Sequence, residues 1–193
     1  MTELCTLLGR IRACTLCADC LPLGPRPVVQ AGRRAKLLII GQAPGRRVHE
    51  SGIPFDDASG QRLRDWLPLE RDTFYDPQQV AIMPMGFCYP GTGTRGDLPP
   101  SPRCAPQWHQ QLLQSLPGIG LCLLVGQYAQ KYYLPDSPHA TLAARVRNWQ
   151  QLPPGVLALP HPSPRNNLWL RNNPWFEQQL LPQLQAQVRQ MLG

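Results

Sequence analysis

The sequence lacks any apolar run approaching the length of a membrane span, which takes about 20 predominantly apolar residues. A membrane role is therefore not expected. Residues 1–12 do not read as a secretory leader either, because they carry Glu3, Arg10 and Arg12 and no unbroken apolar core before a small-residue cleavage site. The expected compartment is the cytoplasm, and the seven cysteines then read as thiols or metal ligands rather than as a disulfide framework. Lysine is scarce: only Lys36 and Lys131 stand among the 19 basic residues. The positive charge is thus carried by arginine, whose planar fork suits bidentate contact with phosphate or a base edge, although a GC-rich genome gives the same bias. No internal repeat is visible, and with it goes any reason to expect a repeat array.

What is present suits one domain over residues 1–193, since 42% apolar residues in a chain of this length can bury one sizeable core but not two. A formal net charge of +7 suits a polyanionic partner such as DNA, bound by a monomer. Leu4, Leu7, Leu8 and Ile11 recur at helical spacing over residues 2–12, and the proline-rich stretch 21–29 cannot continue that helix. Lys36-Leu-Leu-Ile-Ile40 is a short apolar run closed by the turn Gly41-Gln-Ala-Pro-Gly45, which reads as a buried strand and its loop. Further strands are expected at 80–84, ended by Pro84, at 121–125 and at 156–159. Between and after them, helices are expected from a Ser59 cap to Leu67, over 106–116, from Gly126 through Tyr133, and over 174–191 with a kink at Pro182. Strands alternating with helices predict an α/β fold of three layers, α/β/α, around a central four-stranded parallel sheet.

Cys14 and Cys17 form a C-x2-C pair, and Cys88 and Cys104 follow with a glycine- and proline-rich loop between them. Two readings stand from spacing alone: four thiolates closing on an iron–sulfur cluster or a zinc ion, or scattered core residues that bind nothing. Cys20 is open to two readings, a substitute ligand or a bystander. Cys5 and Cys122 are placed on apolar faces of a helix and a strand, as ordinary buried thiols.

Two loops carry a resemblance. Gly41-Gln-Ala-Pro-Gly45 followed by Ser51-Gly-Ile-Pro-Phe-Asp-Asp-Ala-Ser-Gly-Gln-Arg-Leu63 resembles the GEGPG or GEAPG motif and the TGRPFVGxAGxLL segment of the uracil-DNA glycosylase superfamily, nearest to its family-four branch. His161-Pro-Ser-Pro-Arg-Asn166 resembles the superfamily's HPSP loop, in the HPSPRN form of the single-strand-selective branch. The resemblance covers most of the chain from Cys14 onward. It implies a glycosylase that flips a base from DNA, with Gly41, Ala43 and Phe55 contacting that base and Phe55 as its stacking platform. It implies His161 as the donor to charge growing on the departing base. Ser163, Pro164, Arg165 and Asn166 would meet DNA, with Arg165 as the wedge. It further implies a [4Fe–4S] cluster on Cys14, Cys17, Cys88 and Cys104, with zinc as the alternative.

The chain departs from that pattern where chemistry is decided. Gln42 stands in place of the family-four glutamate, Ala43 in place of the family-one aspartate, and Pro84 where most relatives have an asparagine that reads the uracil edge. Gln42 can hold a water but cannot accept its proton. Candidate replacements are His49, Glu50, Asp56 and Asp57, with Asp56 and Asp57 ranked first beside Phe55, against the plainer reading of adjacent acids as helix caps or solvated surface. Three functions remain open at this point: excision of uracil or another deaminated base, a catalytically silent DNA-binding or damage-sensing protein that keeps the cluster, and a small zinc-ribbon regulator. The last leaves the strand-loop motifs unexplained.

Overall fold

Helices and strands alternate from the first turn onward in a computed structural model that describes residues 3–94 and 96–192. Helix α1 (Glu3–Arg12) leads to strand β1 (Leu37–Ile40) and helices α2 (Arg46–Ser51), α3 (Ala58–Trp66) and α4 (Arg71–Tyr75). Strand β2 (Val80–Ile82) precedes a small hairpin of β3 (Thr92–Gly93) and β4 (Gly96–Asp97), then helix α5 (Cys104–Gln114). Strand β5 (Leu121–Val125), helices α6 (Gln127–Tyr133) and α7 (Leu142–Arg147), strand β6 (Val156–Leu159) and helices α8 (Asn167–Asn172) and α9 (Leu181–Leu192) complete the order.

The main sheet runs β2-β1-β5-β6 with every pairing parallel, as the alternation of elements predicts. Its strands are apolar throughout because both faces are covered. Leu38, Ile40 and Leu124 pack with Leu4 and Leu8 of α1 and Trp108 and Leu112 of α5. Leu37, Ile39, Leu121 and Leu123 point the other way, into a second core with Leu63 and Trp66 of α3 and Leu184 and Val188 of α9. Each such side chain contributes about 1.5–3 kcal/mol on burial, so a one-residue slip of any strand would be heavily disfavoured. Outside β2, Gln30 forms an antiparallel bridge to Ile82, and the Gln30 amide donates to the carbonyls of Phe74 and Val80 at 3.0 and 2.8 Å. That closes an edge otherwise open to pairing. The order reverses between β1 and β5, and crevices form at the carboxyl ends of strands at such a switch point.

Several details correct the sequence reading. Asp57, not Ser59, caps α3: its Oδ1 accepts the Gly60 N–H at 2.9 Å. Helix α5 starts at Cys104 rather than at 106. The last helix does not simply kink at Pro182. A π-helical turn, Phe176–Leu180, precedes α9, giving room where the proline ring would meet the carbonyl of Gln178 and where its missing N–H breaks the ladder. Cys5 is exposed and Cys122 half-buried. Leu4, Leu7, Leu8 and Ile11 already fill the buried stripe of α1, which leaves Cys5 on the outer face.

Candidate active site and cysteine pocket

The loop after β1 is fixed by its neighbour. Beyond β2 the chain continues alongside it, with Met83 N–H donating to Ile39 O, Met85 N–H to Gly41 O and Gly86 N–H to Gln42 O, at 2.9–3.0 Å. This loop is one wall of a cleft of about 430 Å³ at the carboxyl edge of the sheet. Phe55 lies against it: a Cβ on Gly41 would come 3.1 Å from the ring, and one on Gly60 would collide with the Phe55 carbonyl. Phe55 itself has φ 53°, a left-handed conformation that costs a bulky residue on the order of 1–3 kcal/mol. The surroundings enforce it, with Tyr75 Oη donating to the Phe55 carbonyl at 3.3 Å and Phe74 edge-on to the ring at 6.4 Å.

The facing wall is the loop after β6. Ser163 N–H donates to His161 Nδ1 at 3.2 Å, so Nδ1 is an acceptor and Nε2 bears the proton of the neutral ring. Burial holds the His161 pKa below its ordinary value, against the opposing pull of the Asp57 and Asp97 carboxylates. Asn166 Nδ2 donates to the His161 carbonyl at 2.7 Å, and Arg165 N–H to Ser163 Oγ at 3.3 Å. Arg62 of α3 clamps the same loop through Ser163 O at 3.1 Å and Asn167 Oδ1 at 2.8 Å.

Gly41, Gln42, Ala43, Phe55, Asp57, His161, Ser163, Arg165 and Asn166 all line this one cleft. Two other candidates stand apart from it. Asp56 is drawn to Arg71 at 3.4 Å, and Pro164 is exposed at the start of the turn Pro164–Asn166. His49 is buried beside Tyr89, and Glu50 pairs with Arg46 at 3.0 Å; neither lines the cleft. Pro84 is part of the wall. Its carbonyl is held by His109 Nε2 at 3.1 Å, while His109 Nδ1 meets Tyr133 Oη at 2.6 Å. Burial pushes the His109 pKa down to about 4, so the ring is neutral and its Nε2–H is the donor.

Sequence reasoning missed Asp97, Gln127 and Tyr128 in the cleft, and Leu168, which is 67% exposed on α8. The one available signal for Leu168 was its place directly behind the His161 loop. Asp97 sits on a two-residue strand with no periodicity to read.

Cys14, Cys17, Cys88 and Cys104 line a second, smaller cavity of about 20 Å³. Burial pushes the Cys88 thiol up to about 11 against a backbone hydrogen bond from Arg26. Cys104 is pushed up to about 12 against one from Phe87, whose N–H meets Sγ at 3.4 Å. Cys17 Sγ lies 3.0 Å from Ser101 Oγ. Cys20 is exposed, outside the cavity, and receives a hydrogen bond from Arg103 at 3.4 Å. Trp108 lines the cavity too, its buried indole N–H without a partner among the described residues. Among the described residues no group of three or more His, Cys, Asp or Glu is arranged to hold a metal ion.

Fold and cleft together define an α/β protein with a polar cleft at the switch point of a parallel sheet, flanked by a glycine-rich loop and a His-Pro-Ser-Pro loop. The chain belongs to the uracil DNA glycosylase superfamily, whose family model matches residues 29–185. That match spans both cleft loops, Cys88 and Cys104, and begins beyond Cys14 and Cys17. None of the described helices is long and apolar enough to cross a membrane.

Proposed function

We propose that this chain is a DNA base-excision glycosylase that hydrolyses the N-glycosidic bond of uracil or another deaminated base flipped from the helix. One observation carries the reading: His161 lines the cleft with Nδ1 engaged by Ser163 and Nε2–H left to donate. A neutral imidazole donor stabilises the negative charge that grows on a departing base. Phe55 offers the flipped base a face, and the loop at 41–45 offers backbone groups close to its edge. The Pro84 wall, apolar and with its carbonyl already held by His109, reads no base edge, so preference falls to other groups such as Gln42 and Gln127. Arg165, whose guanidinium lies against Gly96 of the hairpin, and the exposed Leu168 are the candidates for meeting phosphate and filling the vacated stack.

We infer further that the four cysteines hold a [4Fe–4S] cluster. The donor set suits it: backbone N–H groups from Arg26 and Phe87 reach the sulfurs of Cys88 and Cys104, and such hydrogen bonds tune iron–sulfur centres. A zinc ion held by the same four thiolates is the alternative occupant. Because the cavity is small, loading has to part the side chains. Bound there, the cluster would act as a structural crosslink between the amino-terminal turn, the chain at 86–88 and α5.

Gln42, Ala43 and the Pro84 wall support a second reading, a DNA-binding protein that recognises a lesion without cutting it. An excision assay with purified protein on oligonucleotides bearing uracil, hypoxanthine, xanthine or a thymine mismatch separates the two. Release of any of these bases is the result expected. Tight, lesion-selective binding with no release on any of them would favour the silent reading.

A further inference from the structure

We propose that Asp97 is the carboxylate that holds and deprotonates the attacking water, so that the acid missing from position 42 is supplied by the β3–β4 hairpin. The proposal rests on the excision reading above. Asp97 ends β4 and lines the same cleft as Gln42, Phe55 and His161. Its Oδ2 lies 3.5 Å from the point a Cβ on Gly45 would occupy, and Oδ2 of Asp57 lies 3.9 Å from the same point. Two carboxylates therefore flank one stretch of the loop after β1, although only Asp57 is close to it in sequence.

The two acids are not equivalent. Asp57 is committed to α3, where Oδ1 accepts the Gly60 N–H at 2.9 Å; it is a cap whose loss would fray the helix behind Phe55. Among the described residues, the Asp97 side chain receives one long hydrogen bond, from Thr92 Oγ1 to its Oδ1 at 3.4 Å, and Thr92 Oγ1 is in turn held by Tyr89 Oη at 2.5 Å. Asp97 is exposed to solvent, which lets water reach its second oxygen. The hairpin that carries it is held in register by the Thr92–Asp97 pairing and by Leu98 N–H donating to Gly91 O at 2.8 Å. Asp97 and His161 line the same cleft, and both carboxylates oppose the fall in the His161 pKa. In the reaction the C1′–N bond breaks and its electron pair leaves with the base, held by His161 Nε2–H and later protonated by solvent. The water oxygen forms the new bond to C1′, and its proton passes to Asp97 Oδ2.

The test uses single-turnover excision on the best base of the panel, beside binding to a duplex carrying a non-cleavable 2′-fluoro analogue. Loss of a general base typically costs 10²–10⁴-fold, so Asp97→Asn should slow excision by about 100-fold or more while binding changes less than about twofold. Adding Gln42→Glu to Asp97→Asn should recover at least about tenfold, because it returns a carboxylate to the loop after β1. Added formate should partly restore Asp97→Ala but not Asp57→Ala, a response a structural residue does not give. Wild-type excision with an unimpaired Asp97→Asn, or no rescue by either route, would overturn the role of Asp97 and leave the glycosylase reading standing. A wild-type protein that releases no base would overturn both.

Discussion

The cleft and the cysteine pocket share a wall, yet they are made on opposite terms. One short segment serves both: Pro84 faces the cleft, while Gly86, Phe87 and Cys88 face the cysteines. The cleft is wide and polar, and its groups are already set by hydrogen bonds within the protein, from the Ser163–His161 contact to the Asp57 cap. Its geometry needs no occupant. The cysteine pocket is small, and burial pushes Cys88 and Cys104 up to about 11 and 12, so at neutral pH these two are neutral thiols when nothing is bound. The pocket would become a ligand set with a positively charged centre to favour the thiolates. On the function proposed above, chemistry falls to the cleft and scaffolding to the cysteines.

The sharpest way to break that division is at Cys88. With a [4Fe–4S] cluster bound, anaerobically purified protein should be brown and carry about four irons per chain, and Cys88→Ser should lose the iron and melt at markedly lower temperature. Stoichiometric zinc would redirect the assignment, and a colourless, metal-free protein of unchanged stability would remove the cofactor. In iron-free protein, alkylation at pH 8 should reach the exposed Cys5 and Cys20 well before Cys88 and Cys104.

The shared wall offers a second test, through pH. His109 holds the Pro84 carbonyl and has a folded pKa of about 4, below the ordinary value near 6.5. The unfolded chain therefore takes up this proton first. Its contribution is complete above about pH 6.5 and is lost as pH falls towards 4, by about 3 kcal/mol in all. Urea unfolding between pH 7 and 4 should record that loss, and His109→Gln should flatten the slope in this window.

Smaller effects belong to the rim of the cleft. Arg165→Ala and Leu168→Ala should each weaken binding to duplex with a flippable lesion by about 1 kcal/mol, roughly fivefold, and weaken undamaged duplex less. Equal losses on both duplexes would mean plain phosphate contact and no wedge. A stability effect of similar size belongs to Arg62→Ala, which removes two hydrogen bonds from the His161 loop. Thermal denaturation should register about 1–2 kcal/mol.

The parallel sheet was readable because its four strands are apolar runs bounded by glycine or proline, and the amino-terminal helix because its leucines keep a 3.6-residue period. Helices α2, α4, α7 and α8, of five or six residues each, are too short to show a period, as is the hairpin. That is why Asp97 went unseen: its place in the cleft comes from a turn of the chain, not from a motif. Residues inside the two loops, such as Gln42 and His161, could be placed together because both loops follow parallel strands and so emerge at the same edge. Asp56 and Asp57 could not be told apart by sequence. Only the structure turns one into the cleft as a cap and the other out to Arg71.

The central claim is that the cleft performs excision through His161, and the ratio of two single-turnover rates tests it most directly. Wild type and His161→Ala would be compared on the released base, with binding to the non-cleavable analogue measured beside them. Removing a donor to developing charge costs about 3–4 kcal/mol, so the account predicts a fall of 10²-fold or more in cleavage with binding nearly unchanged. Equal cleavage by the two proteins would contradict it.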